Sequence, residues 1–215
     1  MLAAGVLLAA YLLGSLPFSL WVGRLHGLDI RKQGSGNLGA TNVYRVLGWK
    51  LGVLVLLLDI GKGLGAVLLA RAVSVSGALT TGAALAAVLG HMVTPFAGWK
   101  GGKGVATALG VFLGLAPLAA GMSFLVWAST LALAGWVSVA SVVAALLLPG
   151  FVFLTRDDLG PRFPWAFGLA VMIGLLVALR HGKNWERLRR GTEQRIWEKH
   201  PETPETRAVR PGGSP

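Results

Sequence analysis

The chain has 215 residues, 54% of them hydrophobic and 13% charged, with a mean hydropathy of +0.65. A soluble domain carries about 25% charged residues, so a soluble enzyme is excluded, and the absence of cysteine excludes disulfides and Cys-ligated metals. The net charge of +11 suits anionic headgroups and phosphorylated substrates, and no basic stripe with interleaved aromatics supports nucleic acid as a partner.

A membrane span needs about 20 apolar residues. Residues 3–23 meet this without the basic leader of a secretory signal, so they read as a retained span. The segment 24–50 follows, with Arg24, Arg31, Lys32, Arg45 and Lys50 against Asp29. Residues 51–71 are the second predicted span, despite Asp59 and Lys62 inside it, and 76–95 the third, ending at Pro95. A short basic loop, 96–104, carries Lys100 and Lys103. Residues 105–154 are nearly continuously apolar and 164–180 form a last span.

Three spans in 105–154, with turns near Gly121-Met122-Ser123 and Gly135-Trp136, put every basic loop and the basic tail on one side, as the positive-inside rule requires. Two spans would place the tail, with nine basic and five acidic residues from position 180 onward, outside. The expected fold is therefore an all-α integral membrane bundle of seven helices, N-terminus outside and C-terminus cytoplasmic, some spans short or tilted. Trp21, Trp49, Trp99, Trp136 and Trp165 fall near predicted span ends, where an aromatic belt is expected. Residues 1–200 form one catalytic membrane domain in this reading. Residues 201–215, rich in Pro, Gly and charge, form a disordered tail.

Two polar segments interrupt this apolar sequence. In 34–45, Ser35, Asn37, Thr41, Asn42 and Arg45 offer donors, and Gly34, Gly36 and Gly39 allow backbone approach. The spacing is not that of a Walker A loop. In 99–107, Lys100, Gly101, Gly102, Lys103 and Gly104 precede an apolar helix, so amides, macrodipole and ammonium groups act together on an anion. Asp59 and Lys62, at i and i+3 in a span, read as a structural ion pair. His91 is either a packed polar residue or part of the same pocket. His181, Asn184 and Arg187 form one polar stripe after the last span. His181 and Glu186 match an acyltransferase spacing that His200 and Glu205 match equally well, so it carries no weight. No metal-ligand spacing occurs.

Four segments together resemble the bacterial acyl-phosphate:glycerol-3-phosphate acyltransferase family. They are Gly34 to Arg45, Asp59-Ile60-Gly61-Lys62-Gly63, Gly90-His91 through Trp99 to Thr107, and Arg180-His181 with Asn184, Arg187 and Gly191-Thr192-Glu193. The resemblance runs in order over residues 1 to about 195. It departs at the serine pair Ser138 and Ser141, preceded here by Gly135-Trp136 where members often carry an Arg and a Tyr or Phe.

The resemblance implies an enzyme of phospholipid synthesis in the bacterial cytoplasmic membrane, its site facing the cytoplasm. It would move an acyl group from acyl phosphate to the 1-hydroxyl of glycerol 3-phosphate, with no cofactor. Membrane lipid and neighbouring lipid-synthesis enzymes are its expected partners. Lys103, Arg45, Ser35, His181 and Asn184 would hold glycerol 3-phosphate. Asn37, Gly39, Thr41, Asn42, Gly101, Gly102, Gly104, Thr107, Ser138, Ser141 and Arg187 would complete the substrate site. His181 and a substrate phosphate oxygen are alternative proton acceptors. The competing reading from the residues is a small transporter for an organic phosphate, since polar, glycine-broken segments and an intramembrane ion pair also occur there.

Overall fold

The computed structural model describes residues 1–74 and 76–198. The expected tail at 201–215 lies outside the described residues.

The described chain is helical. The first span is two helices, α1 (Leu2–Ser15) and α2 (Phe18–Leu25), because Pro17 lacks the amide that would continue the ladder. α3 (Ala40–Leu47) is short, follows the first polar segment and packs on α4 (Trp49–Val73). α5 (Gly77–Met92) pairs with α1. α6 (Val105–Leu115) starts at the second polar segment and crosses α4. α7 (Pro117–Ala134) and α8 (Val137–Leu154) form an antiparallel hairpin, and α8 packs on α10 (Phe163–Arg180). A single turn, α9 (Arg156–Leu159), links α8 to α10, and α11 (Gly182–Arg189) follows at the opposite end.

Six apolar helical stretches are long enough to cross a membrane: 2–25, 49–73, 77–97, 117–134, 137–154 and 156–180. α6 is apolar but only 11 residues, roughly 16 Å of rise, half of a bilayer's ~30 Å hydrocarbon core. Of the three spans expected in 105–154, α7 and α8 are long enough to cross, whereas α6 is a third helix of less than spanning length, and one turn is displaced. The first break is at Ala116-Pro117, with Pro117 opening α7. Gly121, Met122 and Ser123 lie inside α7, where glycine's flexibility is overridden by continuous helical bonding. The second break is at Gly135, at φ +78, as expected.

Small residues set the crossings. A side chain on Gly63 would strike the Thr107 carbonyl, and one on Gly110 the Ile60 carbonyl, so α4 and α6 meet backbone to backbone. Gly14 against Ala87 and Gly90 against Tyr11 do the same for α1 and α5. Leu8, Leu57, Leu125 and Leu175 point outward, as lipid-facing positions do.

The break at Pro17 leaves carbonyls without helical partners, and side chains from other helices take them. Lys62 Nζ donates to the Leu16 carbonyl at 3.0 Å, and Thr94 Oγ1 to the Ser15 carbonyl at 2.6 Å. Within a bilayer such groups must be satisfied by protein.

Candidate active site

One cavity of about 760 Å³ opens at the end of the bundle where α6, α8 and α11 begin. Its mouth is polar. The segment before α3 contributes Ser35, Asn37 and Gly39, and α3 itself contributes Thr41, Asn42 and Arg45. The loop before α6 contributes Gly101 and Lys103, and α8 contributes Ser138 and Ser141. His181, Asn184, Arg187 and Glu193 close the far wall. Deeper in, the lining turns apolar: Leu109 and Phe112 of α6, Phe124 and Trp127 of α7, Leu148 of α8 and Ile173 of α10.

The polar wall is a connected network. Lys103 Nζ donates to Asn184 Oδ1 at 2.6 Å, which fixes the amide orientation so that Asn184 Nδ2 donates to Glu193 Oε1, also at 2.6 Å. Ser138 Oγ donates to the same oxygen at 2.8 Å. Arg187 Nε donates to Glu193 Oε2 at 2.7 Å. Glu193 is buried. Burial alone would raise its pKa, but the donors from Asn184, Arg187 and Ser138 outweigh that and hold it lowered.

Burial pushes Lys103 down to about 8, with Glu193 opposing and Arg187, Arg45 and Arg180 reinforcing. Burial likewise lowers the Arg45 guanidinium, whose Nη2 donates to the Gln194 carbonyl at 3.0 Å. A desolvated cation cluster of this kind gains most from an incoming phosphate, which replaces the lost water.

His181 is buried, which lowers it to about 4, and the charge of Lys103 lowers it further than the Val177 contact restores. Its Nδ1 lies 2.7 Å from the Val177 carbonyl. A carbonyl only accepts, so Nδ1 carries the proton and Nε2 keeps a free lone pair. The ring is thus a neutral acceptor near pH 7.

The glycine loop is held from below. Arg180 Nη2 donates to the carbonyls of Met92 and Gly102, both at 3.0 Å. The Gly102 amide donates to the His91 carbonyl at 3.0 Å. A Cβ on Gly102 would meet the His91 ring and, at 2.7 Å, the Leu38 carbonyl. Gly104, at φ +83, caps α6 against Met92. Gly102, Gly104 and Thr107 therefore do not line the cavity, unlike the sequence expectation: close approach consumes the first two, and Thr107 is fully buried. Val105 and Ala106 line the cavity in the first turn of α6, where helical amides lack partners within the helix.

Asn42 also differs from expectation. It borders the cavity, but its Oδ1 accepts from the Ser35 amide at 2.8 Å, and its Nδ2 donates to the carbonyls of Ile30 and Gln33, each at 3.1 Å. It knits the loop that presents Ser35 and Asn37 to the first turn of α3. Trp136, at the end of a span as expected, also donates Nε1–H to the Glu193 carbonyl at 3.0 Å. Glu193 and Arg180 had no individual role in the sequence reading; the only signal was their place in the motifs Arg180-His181 and Gly191-Thr192-Glu193.

Asp59 and Lys62 pair at 2.8 Å, both buried, and His91 Nδ1 stands 3.6 Å from the same carboxylate oxygen. Asp59 borders the cavity, whereas Lys62 and His91 sit behind the glycine loop. Among the described residues no group of His, Asp and Glu could hold a metal ion.

Residues 4–191 match the family model described as glycerol-3-phosphate acyltransferase. A glycerol-3-phosphate acyltransferase of Geobacter sulfurreducens is 45% identical over 187 residues, 87% of this chain and 94% of the relative. That of Aquifex aeolicus is 43% identical over 197 residues, 91% of this chain and 100% of the relative. The fold also matches the crystal structure of PlsY (YgiH), an integral membrane glycerol 3-phosphate acyltransferase, in its glycerol 3-phosphate form. The TM-score is 0.83 at 43% identity, over 91% of this chain and 96% of that one. Its lysophosphatidic acid form matches with a TM-score of 0.82 at 42% identity.

Proposed function

This chain belongs to the glycerol-3-phosphate acyltransferase family, and from that premise we propose how its own residues carry out the transfer. The protein is an integral membrane acyltransferase acting on glycerol 3-phosphate; nothing favours the transporter reading. The acyl donor we propose is an acyl phosphate. The observation that carries this is one cavity whose cationic mouth, built on Lys103–Asn184–Glu193, continues without a wall into an apolar arm.

An acyl phosphate is a mixed anhydride, so no enzyme nucleophile is required. The 1-hydroxyl oxygen of glycerol 3-phosphate attacks the acyl carbon and the new ester C–O bond forms. The bond from that carbon to the phosphate oxygen breaks, and phosphate leaves with the electron pair. Lys103 and Arg45 hold the phosphate of glycerol 3-phosphate, while Ser35 and Asn184 orient the glycerol. His181 Nε2 accepts from the attacking hydroxyl. A ring held down to about 4 is a weak base, so the proton passes on to a phosphate oxygen. Asn37, Thr41 and the amides at Gly101 and the start of α6 cradle the acyl phosphate. Holding both reactants in line can contribute about 7–11 kcal/mol, and donors on the departing charge supply more.

In this reading residues 1–200 act as one membrane domain with seven spans, α6 crossing as a short helix where the bilayer is locally thinned. The site faces the cytoplasm of a bacterial inner membrane, and lipid-synthesis enzymes supply and remove its ligands. The basic segments support that orientation.

The test is phosphate release by purified protein. Release that requires both acyl phosphate and glycerol 3-phosphate, and falls about 100-fold or more in Lys103→Ala, is the expected result. Release that ignores glycerol 3-phosphate, or none from any acyl phosphate, overturns the donor assignment.

A further inference from the structure

The strap after α11 has no regular structure from Thr192 to Arg195, yet it carries Glu193, the carboxylate on which Ser138, Asn184 and Arg187 converge. It is fastened to the turn between α7 and α8. The Ile196 amide donates to the Gly135 carbonyl at 2.9 Å, and Trp136 Nε1 donates to the Glu193 carbonyl at 3.0 Å. The Arg195 guanidinium lies 4.8 Å from the centre of the Trp136 ring and 6.0 Å from that of the Trp197 ring. Gly135 is at φ +78, and a Cβ there would strike the Trp197 ring, so strap and turn are in direct contact.

Trp136 does not line the cavity. It grips the strap on both sides of Gln194. The Gln194 carbonyl itself receives Arg45, but Arg45 also serves the substrate phosphate in the reading above. Gly135 and Trp136 are anchors on which the substrate makes no call. Ordering a glutamate side chain costs rotamer entropy, and a fixed backbone behind it lowers that cost.

We propose that Trp136 is a positioning residue for the acyl transfer: it pins the strap at the Glu193 carbonyl and the Arg195 guanidinium, so that the Glu193 carboxylate keeps Asn184 and Lys103 aimed at glycerol 3-phosphate. Each link is a direct contact, from Trp136 to Glu193, Glu193 to Asn184 and Asn184 to Lys103. The inference rests on the reading that Lys103 and Asn184 hold this substrate. Lys103 faces Glu193 and Arg187, Arg45 of α3, and Arg180 and His181 at the end of α10. Among these Glu193 alone is negative and opposes the downward push on Lys103. A slack strap takes that carboxylate away and lowers Lys103 further.

The experiment compares wild type, Trp136→Phe, Glu193→Gln and the double variant. Phe keeps a ring under Arg195 and removes the N–H. In Trp136→Phe, kcat/KM for glycerol 3-phosphate should drop roughly fivefold to 100-fold, and its alkaline limb should move to lower pH. In the Glu193→Gln background the same substitution should do little more, because residues that act through one another are not additive. Losses that multiply, or an alkaline limb that stays in place, overturn the proposal. Arg195→Gln, at an exposed position, decides the matter if Trp136→Phe does not fold. Removing its positive charge by itself moves the limb upward, whereas slackening the strap moves it downward; an upward shift or none overturns the proposal. Affinity for glycerol 3-phosphate gives the same readings without a donor. If wild type turns over no acyl phosphate, the donor assignment alone fails, and the binding series still decides the role of Trp136. Lys103→Ala should bind glycerol 3-phosphate weakly; once that loss is seen, losses that multiply count against Trp136 alone.

Discussion

Lys103 is the residue on which the electrostatics of the mouth converge. Burial holds it down to about 8, and only its ammonium form binds phosphate well. kcat/KM for glycerol 3-phosphate, which reports the free enzyme, should therefore be flat below that pH and fall above it. Lys103→Arg should keep its charge and move the fall upward; a profile that still descends near pH 8 in this variant assigns the titration elsewhere. His181, lowered to about 4, should add no inflection between pH 5 and 8. Residue types and spacing made Lys103, Arg45, His181 and Asn184 legible in the sequence. They could not show which polar groups face a substrate and which face the protein's own backbone. Asn42 and Gly102 have the composition of ligand-binding residues, yet local bonds engage the amide side chain of the one and the backbone amide of the other. Glu193 is one carboxylate among five acidic residues after position 180, and only the fold brings it under Asn184.

At the scale of elements, the joint between α1 and α2 shows why a charged pair lies inside α4. Pro17 frees the Leu16 carbonyl, Lys62 takes it, and Asp59 balances Lys62. Lys62→Met should leave Asp59 uncompensated and lower stability by about 3–5 kcal/mol, read as a drop in the midpoint of thermal unfolding in detergent. Lys62→Met with Asp59→Asn should recover much of that loss. Equal midpoints for the single and double variants would show that the pair is not coupled. The ion pair was readable from the i, i+3 spacing, but its link to a proline on another helix was not. The turn after α6 was misplaced for a related reason. Gly121 looked like the breaker, but a glycine inside an apolar helix is tolerated in a membrane, while Pro117 removes an amide outright.

The whole molecule has no cysteine, so single cysteines report its orientation directly. Lys183→Cys beside the mouth and Ser74→Cys at the far end of α4 should react with impermeant reagents from opposite sides of the membrane, the former from the cytoplasm. Labelling of both from one side would remove the proposed seven-span arrangement. Hydropathy and charge bias made the class and helix order of the molecule legible. They did not show which helix is short or where it ends, since helix length follows from where Gly104 and Pro117 stop the ladder.

After α11 the chain turns back. Glu193 bonds Asn184, Arg187 and Ser138, the Gln194 carbonyl receives Arg45, and Ile196 donates its amide to the Gly135 carbonyl at 2.9 Å. These are among the last described residues to leave the ribosome. A nascent polypeptide inserted through α10 thus owns every hydrophobic helix and most of the cations, but not the carboxylate that organises them. A product stopped at residue 190 should enter the membrane and release no phosphate. Translation itself would then act as the enzyme's safety catch, keeping a half-made protein from squandering an activated fatty acid.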